Sequence, residues 1–220
     1  MGRSELTLPE VREMILAVSR GMIASTDRLT QADKAVGDGD HGVGMARGFA
    51  SVIENVEGRE FISIGHLFKT AGTAILTSAG GAAGAVFGTL FRGGAESLGD
   101  RNALTAALLS RFLLDGLRAV KDRGHAKPGD KTMIDALEPA AAESERRASA
   151  PLDEALAAVA EAARLGMEKT REMVAMVGKA KALGERSLGH PDPGALSMSF
   201  ILEFMAEYAI RTIPSEENRK

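Results

Sequence analysis

Four glycine-rich stretches, at residues 37–44, 80–84, 124–131 and 184–194, constrain this chain more than any other feature, because each falls at the end of a run of helix-forming residues. Glycine closes a helix at little cost and lets the backbone turn where other residues are strained. Between the breaks, apolar residues recur at helical spacing, as with Val11, Ile15, Val18 and Met22 near one face. Eight main helical segments are predicted, over about residues 7–26, 43–56, 62–78, 85–98, 105–123, 131–147, 152–182 and 193–211. A shorter one at 29–36 leads into the first glycine stretch. Aromatic residues make up only 4% of the chain and Trp is absent, so Ala, Leu and Met fill the apolar positions and favour helix over sheet. No segment alternates apolar and polar residues, and no sheet is expected.

The fold class is therefore all-α, and short links between helices favour an up-and-down bundle or ring. In an antiparallel array alternate loops share one end. The loops before the second, fourth, sixth and eighth helices should then meet on one face, where the chemistry is expected. A length of 220 residues suits one domain, read here as residues 1–213 with a polar tail at 214–220.

A net charge of −3 argues against nucleic acid or an anionic membrane as partner. The chain has no cysteine, which excludes disulfides and thiolate metal sites and fits a cytoplasmic location. It has no apolar run of membrane-spanning length, and residues 1–13 do not resemble a signal peptide.

The strongest local signal is Asp33-x4-Asp38-x-Asp40. Carboxylates that converge repel one another, each pair at 4 Å by about 4 kcal/mol at an effective dielectric near 20. A hard divalent cation relieves that repulsion, and oxygen-only ligands select Mg2+, Mn2+ or Ca2+. The helix opening near Gly42 offers unpaired N–H groups to an anion. The same letters also fit a solvated Asp-Gly turn that caps a helix. An EF-hand is disfavoured, since Phe49 stands at the twelfth position from Asp38. Gly37-x-Gly39-x-x-Gly42 spells the dinucleotide fingerprint, but no strand precedes it and Asp38 and Asp40 would repel a pyrophosphate unless a metal intervened.

The other breaks add weaker signals. Gly80-Gly81-Ala82-Ala83-Gly84 opens a helix on which a phosphate could rest, or lets two helices pack closely. Lys127 to Thr132 reads as a turn and helix start. Arg186, in Gly184-Glu185-Arg186-Ser187, presents a planar cation suited to phosphate, or a surface ion pair. Asp192-Pro193-Gly194 is a good helix cap. His41 and His190 lie in candidate site loops, whereas His66 and His125 read as structural or solvent-facing.

In this order, Gly37-Asp38-Gly39-Asp40-His41-Gly42 with Arg47-Gly48-Phe49, Gly80-Gly81, Pro128-Gly129-Asp130-Lys131-Thr132-Met133, Leu183-Gly184-Glu185-Arg186-Ser187, Gly189-His190 and Asp192-Pro193-Gly194 closely resemble the L subunit of dihydroxyacetone kinase. The resemblance runs from Leu29 through the last helix. It implies a barrel of eight antiparallel helices with ADP (or ATP) and two Mg2+ ions at one end. Asp33, Asp38 and Asp40 would bind the metal. His41, Gly42, Val43, Gly44, Ala82 and Ala83 would lie along the nucleotide, Gly124 and Met133 beside the adenine, and Arg186, Asp192 and Gly194 would complete the pocket, with Arg186 in the catalytic role.

The resemblance also implies partners: a K-type subunit holding the ketose on a histidine, and a phosphotransferase-system protein that rephosphorylates ADP in place. A transcription regulator and a second copy of the chain are further expected partners. The alternatives are a subunit of an ATP-dependent ketose kinase acting on, for example, erythrulose, or a regulator-binding module. Two residues depart from the family pattern. Ala83 stands where many relatives carry a hydroxyl residue, and Gly44 where many carry Asn, so the side-chain contacts to nucleotide differ.

Overall fold

A computed structural model describes residues 2–212. Among them are nine α-helices: α1 (Leu8–Ala24), α2 (Thr26–Val36), α3 (His41–Val56), α4 (Ile64–Ser78), α5 (Gly81–Leu98), α6 (Ala106–Gly124), α7 (Ile134–Arg146), α8 (Leu152–Lys169) and α9 (Pro193–Arg211). The chain is mostly helical, as its composition predicts. The tail expected at 214–220 lies outside the described residues.

Helix starts are fixed by local chemistry. Thr7 and Glu10 form a reciprocal capping box at α1, with Pro9 in the first turn. The hydroxyls of Ser63 and Thr105 accept the N–H groups of His66 and Leu108 at α4 and α6. The Asp192 carboxylate accepts the Ala195 N–H at α9, at 2.7 Å. Consecutive helices from α3 to α9 pack side by side, and α1 packs on both α3 and α9. The short α2 lies against α3.

The buried faces meet in one continuous core. Within it Phe112 packs edge to face on both Phe68 and Phe91, with centroids 4.7 Å apart for Phe68 and Phe112, and Phe68 stacks on Phe91. The helices around them approach closely because glycine stands at the contact: a Cβ on Gly88 would sit 2.6 Å from that of Leu76 on α4.

Three expectations are corrected. A small sheet is present: β1 (Glu5–Thr7) pairs antiparallel with β2 (Ala103–Thr105), with Leu6 opposite Leu104. Both leucines are buried and both strands run straight into helix caps, so the pair ties the starts of α1 and α6 together. Three residues are too short to show alternation. The predicted helix at 152–182 ends instead at Lys169, and 3-10 segments follow at Thr170–Glu172 and, kinked at Gly184, at Lys179–Ser187. Gly178 and Gly184, at φ 68° and 54°, break the helical path, and tertiary bonds described below capture the segment. The helix predicted from 131 begins only at Ile134, because Lys131 itself has φ 61°.

Candidate functional site

The Gly-rich breaks do converge. The start of α3 meets the end of α4, where the Arg47 guanidinium donates to the carbonyls of Ser78 and Ala79, both at 2.7 Å. A Cβ on Gly44 would come within 3.0 Å of the Ala79 carbonyl, so that approach needs a small residue. His41 reaches α9 through a 2.7 Å hydrogen bond shared with the Ser197 hydroxyl. The turn before α7 meets the turn before α9, where Gly194 lies against Met133.

Asp33, Asp38 and Asp40 present carboxylate oxygens within 4.8 Å of one another. Asp33 is buried on the last turns of α2, and its Oδ2 accepts the His41 N–H at 3.0 Å, so it secures the first turn of α3. Asp38 and Asp40 are exposed on the turn between the two helices. The Lys179 ammonium reaches across from the 3-10 segment and donates to both, at 3.1 Å to Asp40. Its hydrogen bond holds the Asp38 carboxyl below the usual carboxylate range, and the same contacts hold Lys179 above its own.

This donor set fits a hard divalent cation: it is oxygen-only and anionic, and the nearest cationic side chain already rests on it. Burial pushes the His41 imidazole down, against the pull of Asp33 and Asp40, which favours the neutral ring, and its nitrogens are engaged by the Ser197 hydroxyl and the Pro193 backbone.

Around the carboxylates lies an open rim. Val43 projects from the first turn of α3 and is exposed, while Gly42 is packed against Thr26 and Thr30 of α2. Gly80 and Gly81, both at positive φ, turn the chain into α5, whose first residues Ala82 and Ala83 are exposed and half-buried. Gly124 ends α6 in the open, and Met133 is buried where α7 begins. Arg186 is exposed at the end of the 3-10 segment. The first turns of α3 and α5 thus both present backbone N–H groups to the end that carries the acidic cluster.

Three residues of this end take roles that the sequence reading does not assign them. Lys179 falls where periodicity predicts helix, and Ser197 is one of several serines on α9. Lys131 reads as part of a turn but is buried, with its ammonium donating to the carbonyls of Thr170, Ser187 and His190. Its positive φ and its three distant carbonyl partners are legible only once the fold is known.

A mostly helical chain that gathers three carboxylates and two helix N-termini at one end offers the elements of an anion-and-metal site. Residues 35–207 match the DAK2 domain. Over 192 residues the chain is 41% identical to the ADP-binding subunit DhaL of the PEP-dependent dihydroxyacetone kinase of Escherichia coli, covering 84% of this chain and 90% of that one. It is 32% identical over 179 residues to the ADP-binding subunit DhaL of the PTS-dependent dihydroxyacetone kinase of Lactococcus lactis, covering 81% and 86%. The crystal structure of the dihydroxyacetone kinase of C. freundii with AMP-PNP and Mg2+ superposes with a TM-score of 0.71 at 26% identity, over 93% of this chain and 35% of that one. This chain belongs to the DAK2 domain family.

Proposed function

We propose that this chain is the nucleotide-binding subunit of a two-component dihydroxyacetone kinase, taking phosphoryl from a phosphotransferase-system protein and handing it to a ketose held by a K-type subunit. The observation that carries this reading is the convergence of Asp33, Asp38 and Asp40 within 4.8 Å beside the first turns of α3 and α5. The names of the similar proteins from E. coli and L. lactis supply the nucleotide, the donor and the substrate class.

In this reading α1 and α3–α9 are the eight staves of an antiparallel barrel, and the nucleotide lies across its open end. Asp33, Asp38 and Asp40 would hold two Mg2+ ions, which would supply charge neutralisation at the phosphates. The N–H groups at Gly42 and Val43, and those at Ala82 and Ala83, would meet phosphate oxygens without side-chain help, while the His41 N–H is held by Asp33 and the Gly44 N–H by the Asp40 carbonyl, so that those two residues shape the path of the nucleotide. The His41 ring, favoured in its neutral form, adds no charge there. Arg186 offers a bidentate fork and Lys179 a point charge to the transferred group. Gly124, Met133, Asp192 and Gly194 shape the base end. The work of the chain is positioning and charge compensation, with the acceptor hydroxyl supplied by the partner.

The protein purified without added nucleotide should keep ADP through dialysis while Mg2+ is present, and lose it to a chelator. Mixed with a K-type subunit and dihydroxyacetone, it should turn over with phosphoenolpyruvate and the phosphotransferase proteins. Rapid exchange with free ATP, and turnover on ATP alone, would instead favour an ATP-dependent ketose kinase; erythrulose in place of dihydroxyacetone tests the acceptor.

A further inference from the structure

Lys131 is 2% exposed and stands at φ 61°, a left-handed conformation that L residues seldom adopt. Such strain persists where the surroundings over-determine it. The turn around it is braced from both sides. The Asp135 carboxylate accepts the N–H groups of Gly129 at 2.6 Å and Thr132 at 2.7 Å, and the Asp130 carboxylate accepts that of Lys127 at 2.9 Å. The side chain then runs into the interior. There its ammonium donates to the carbonyls of Thr170 at 2.6 Å, Ser187 at 2.8 Å and His190 at 2.6 Å. An ammonium has three donors. All three are used, so Lys131 has none left for a ligand and acts only through what it holds.

What it holds is the segment 170–190, gripped at both ends. The two ends are also tied to each other, since the Thr170 hydroxyl accepts the Asp192 N–H at 2.9 Å. A further bond runs from the Met176 N–H to the carbonyl of Asp130, beside Lys131. Inside the segment the Ser187 hydroxyl accepts the Ala175 N–H at 3.0 Å. The middle of the segment is mostly exposed, is hinged at Gly178 and Gly184, and carries Lys179 onto Asp38 and Asp40.

We propose that Lys131 is a positioning residue: its ammonium clamps both ends of the 170–190 segment, so that the segment lies as a strap across the acidic cluster and governs how long a bound nucleotide is retained. This rests on the functional reading above. Removing the ammonium leaves three buried carbonyls without a donor and frees the strap, while Asp33, Asp38 and Asp40 keep their own supports.

Lys131→Met keeps the apolar stem and removes the three donors. Release of ADP from the Mg2+ complex, followed with a fluorescent analogue, should quicken by about tenfold or more. Hydrogen exchange should quicken at the amides of Ala175, Met176 and Gly189, with α4 and α5 as protected as in the parent. Release within twofold of the parent would overturn the proposal, as would uniform loss of protection across all helices, which marks a residue that merely supports the fold. If the variant does not fold, the parent decides. Its nitrogen-15 spectrum should contain one lysine ammonium that exchanges slowly with water and more slowly still with Mg2+ and ADP; an ammonium that ignores nucleotide would overturn the clamp. A parent that binds no nucleotide would overturn the functional reading instead, and the exchange rates of the strap would still report on the clamp.

Discussion

The Lys179 ammonium lies on Asp38 and Asp40, so a side chain from the 3-10 segment occupies the charge position that a divalent cation would take on those two carboxylates. All three groups are largely exposed, and exposed pairs in high dielectric are weak. Lys179 is therefore a counter-ion that a cation can displace.

Lys179→Met should raise the affinity of the nucleotide-free protein for Mg2+ by roughly two- to fivefold, the range set by exposed ion pairs. It should also speed nucleotide release, because a positive charge is lost beside the phosphates. Titration calorimetry with Mg2+ alone and then with Mg2+ and ADP separates the two effects. Unchanged Mg2+ affinity in the absence of nucleotide would show that Lys179 does not compete for the carboxylates.

The three aspartates should separate into two kinds. Alanine at Asp33, Asp38 or Asp40 removes a carboxylate from the proposed metal site and should abolish Mg2+-dependent nucleotide binding in each case. Stability should differ. Asp33 is buried and holds the His41 N–H at the start of α3, so its loss should cost about 1 kcal/mol, as for a lost helix cap. Asp38 and Asp40 hold no such bond to the helix, and their ion pairs with Lys179 are exposed, so those variants should unfold close to the parent's denaturant concentration. Urea unfolding beside nucleotide titration checks both. Retained Mg2+-nucleotide affinity in the Asp38 and Asp40 variants would remove them from the metal site.

This contrast shows what the sequence can and cannot reveal. Asp33-x4-Asp38-x-Asp40 is legible because all three ligands come from one turn and the helix before it, so local spacing alone brings them together. The helix starts at α4, α6 and α9 are legible to within two residues for the same reason, since Ser63, Thr105 and Asp192 act on neighbours three residues away, whereas α5 begins at Gly81, inside the glycine stretch read as a break. The break after Lys169 is not, because residues 170–182 suit a helix by composition. They leave it through Lys131, 39 residues earlier than the carbonyl it holds at Thr170. Lys179 escapes notice likewise, since its partners lie 141 and 139 residues away. Where a tertiary bond overrides a local preference, no local pattern records it.

Asp192 gives the protein a dependence on pH. Desolvation pushes its carboxyl up to about 7, with Asp135 adding to the rise, against the opposing bond from the Ala195 N–H. Between about pH 4 and 7 the folded protein keeps a proton that the unfolded chain has released. Stability must therefore fall as pH rises through that window and level off above it. Asp192→Asn keeps an oxygen for Ala195 and removes the charge. A negative charge at a helix N-terminus is favourable by about 0.5 kcal/mol, but the raised carboxyl shows that the desolvation cost is larger. The Asn variant should be more stable than the parent at pH 8, with the difference vanishing towards pH 4. Urea unfolding at several pH values measures this; parallel curves would show that Asp192 is not the titrating group.

Arg186 stands exposed at the end of the 3-10 segment, one residue before Ser187, whose carbonyl Lys131 holds and whose hydroxyl donates to the Gly184 carbonyl at 2.7 Å. Its backbone is thereby fixed while its guanidinium remains free to meet a ligand. A guanidinium offers two parallel donors to phosphate oxygens, and an ammonium of the same charge does not. If Arg186 steadies the phosphoryl group in transfer, Arg186→Lys should lower turnover with the K-type subunit by tenfold or more, about 1.4 kcal/mol of transition-state stabilisation, and weaken ADP binding much less. A residue that only solvates the surface would leave both alone and change stability by less than about 0.5 kcal/mol. Turnover in the reconstituted system, measured beside ADP affinity, separates the outcomes. Equal losses in the two would place Arg186 in nucleotide binding, and unchanged turnover would remove it from the reaction.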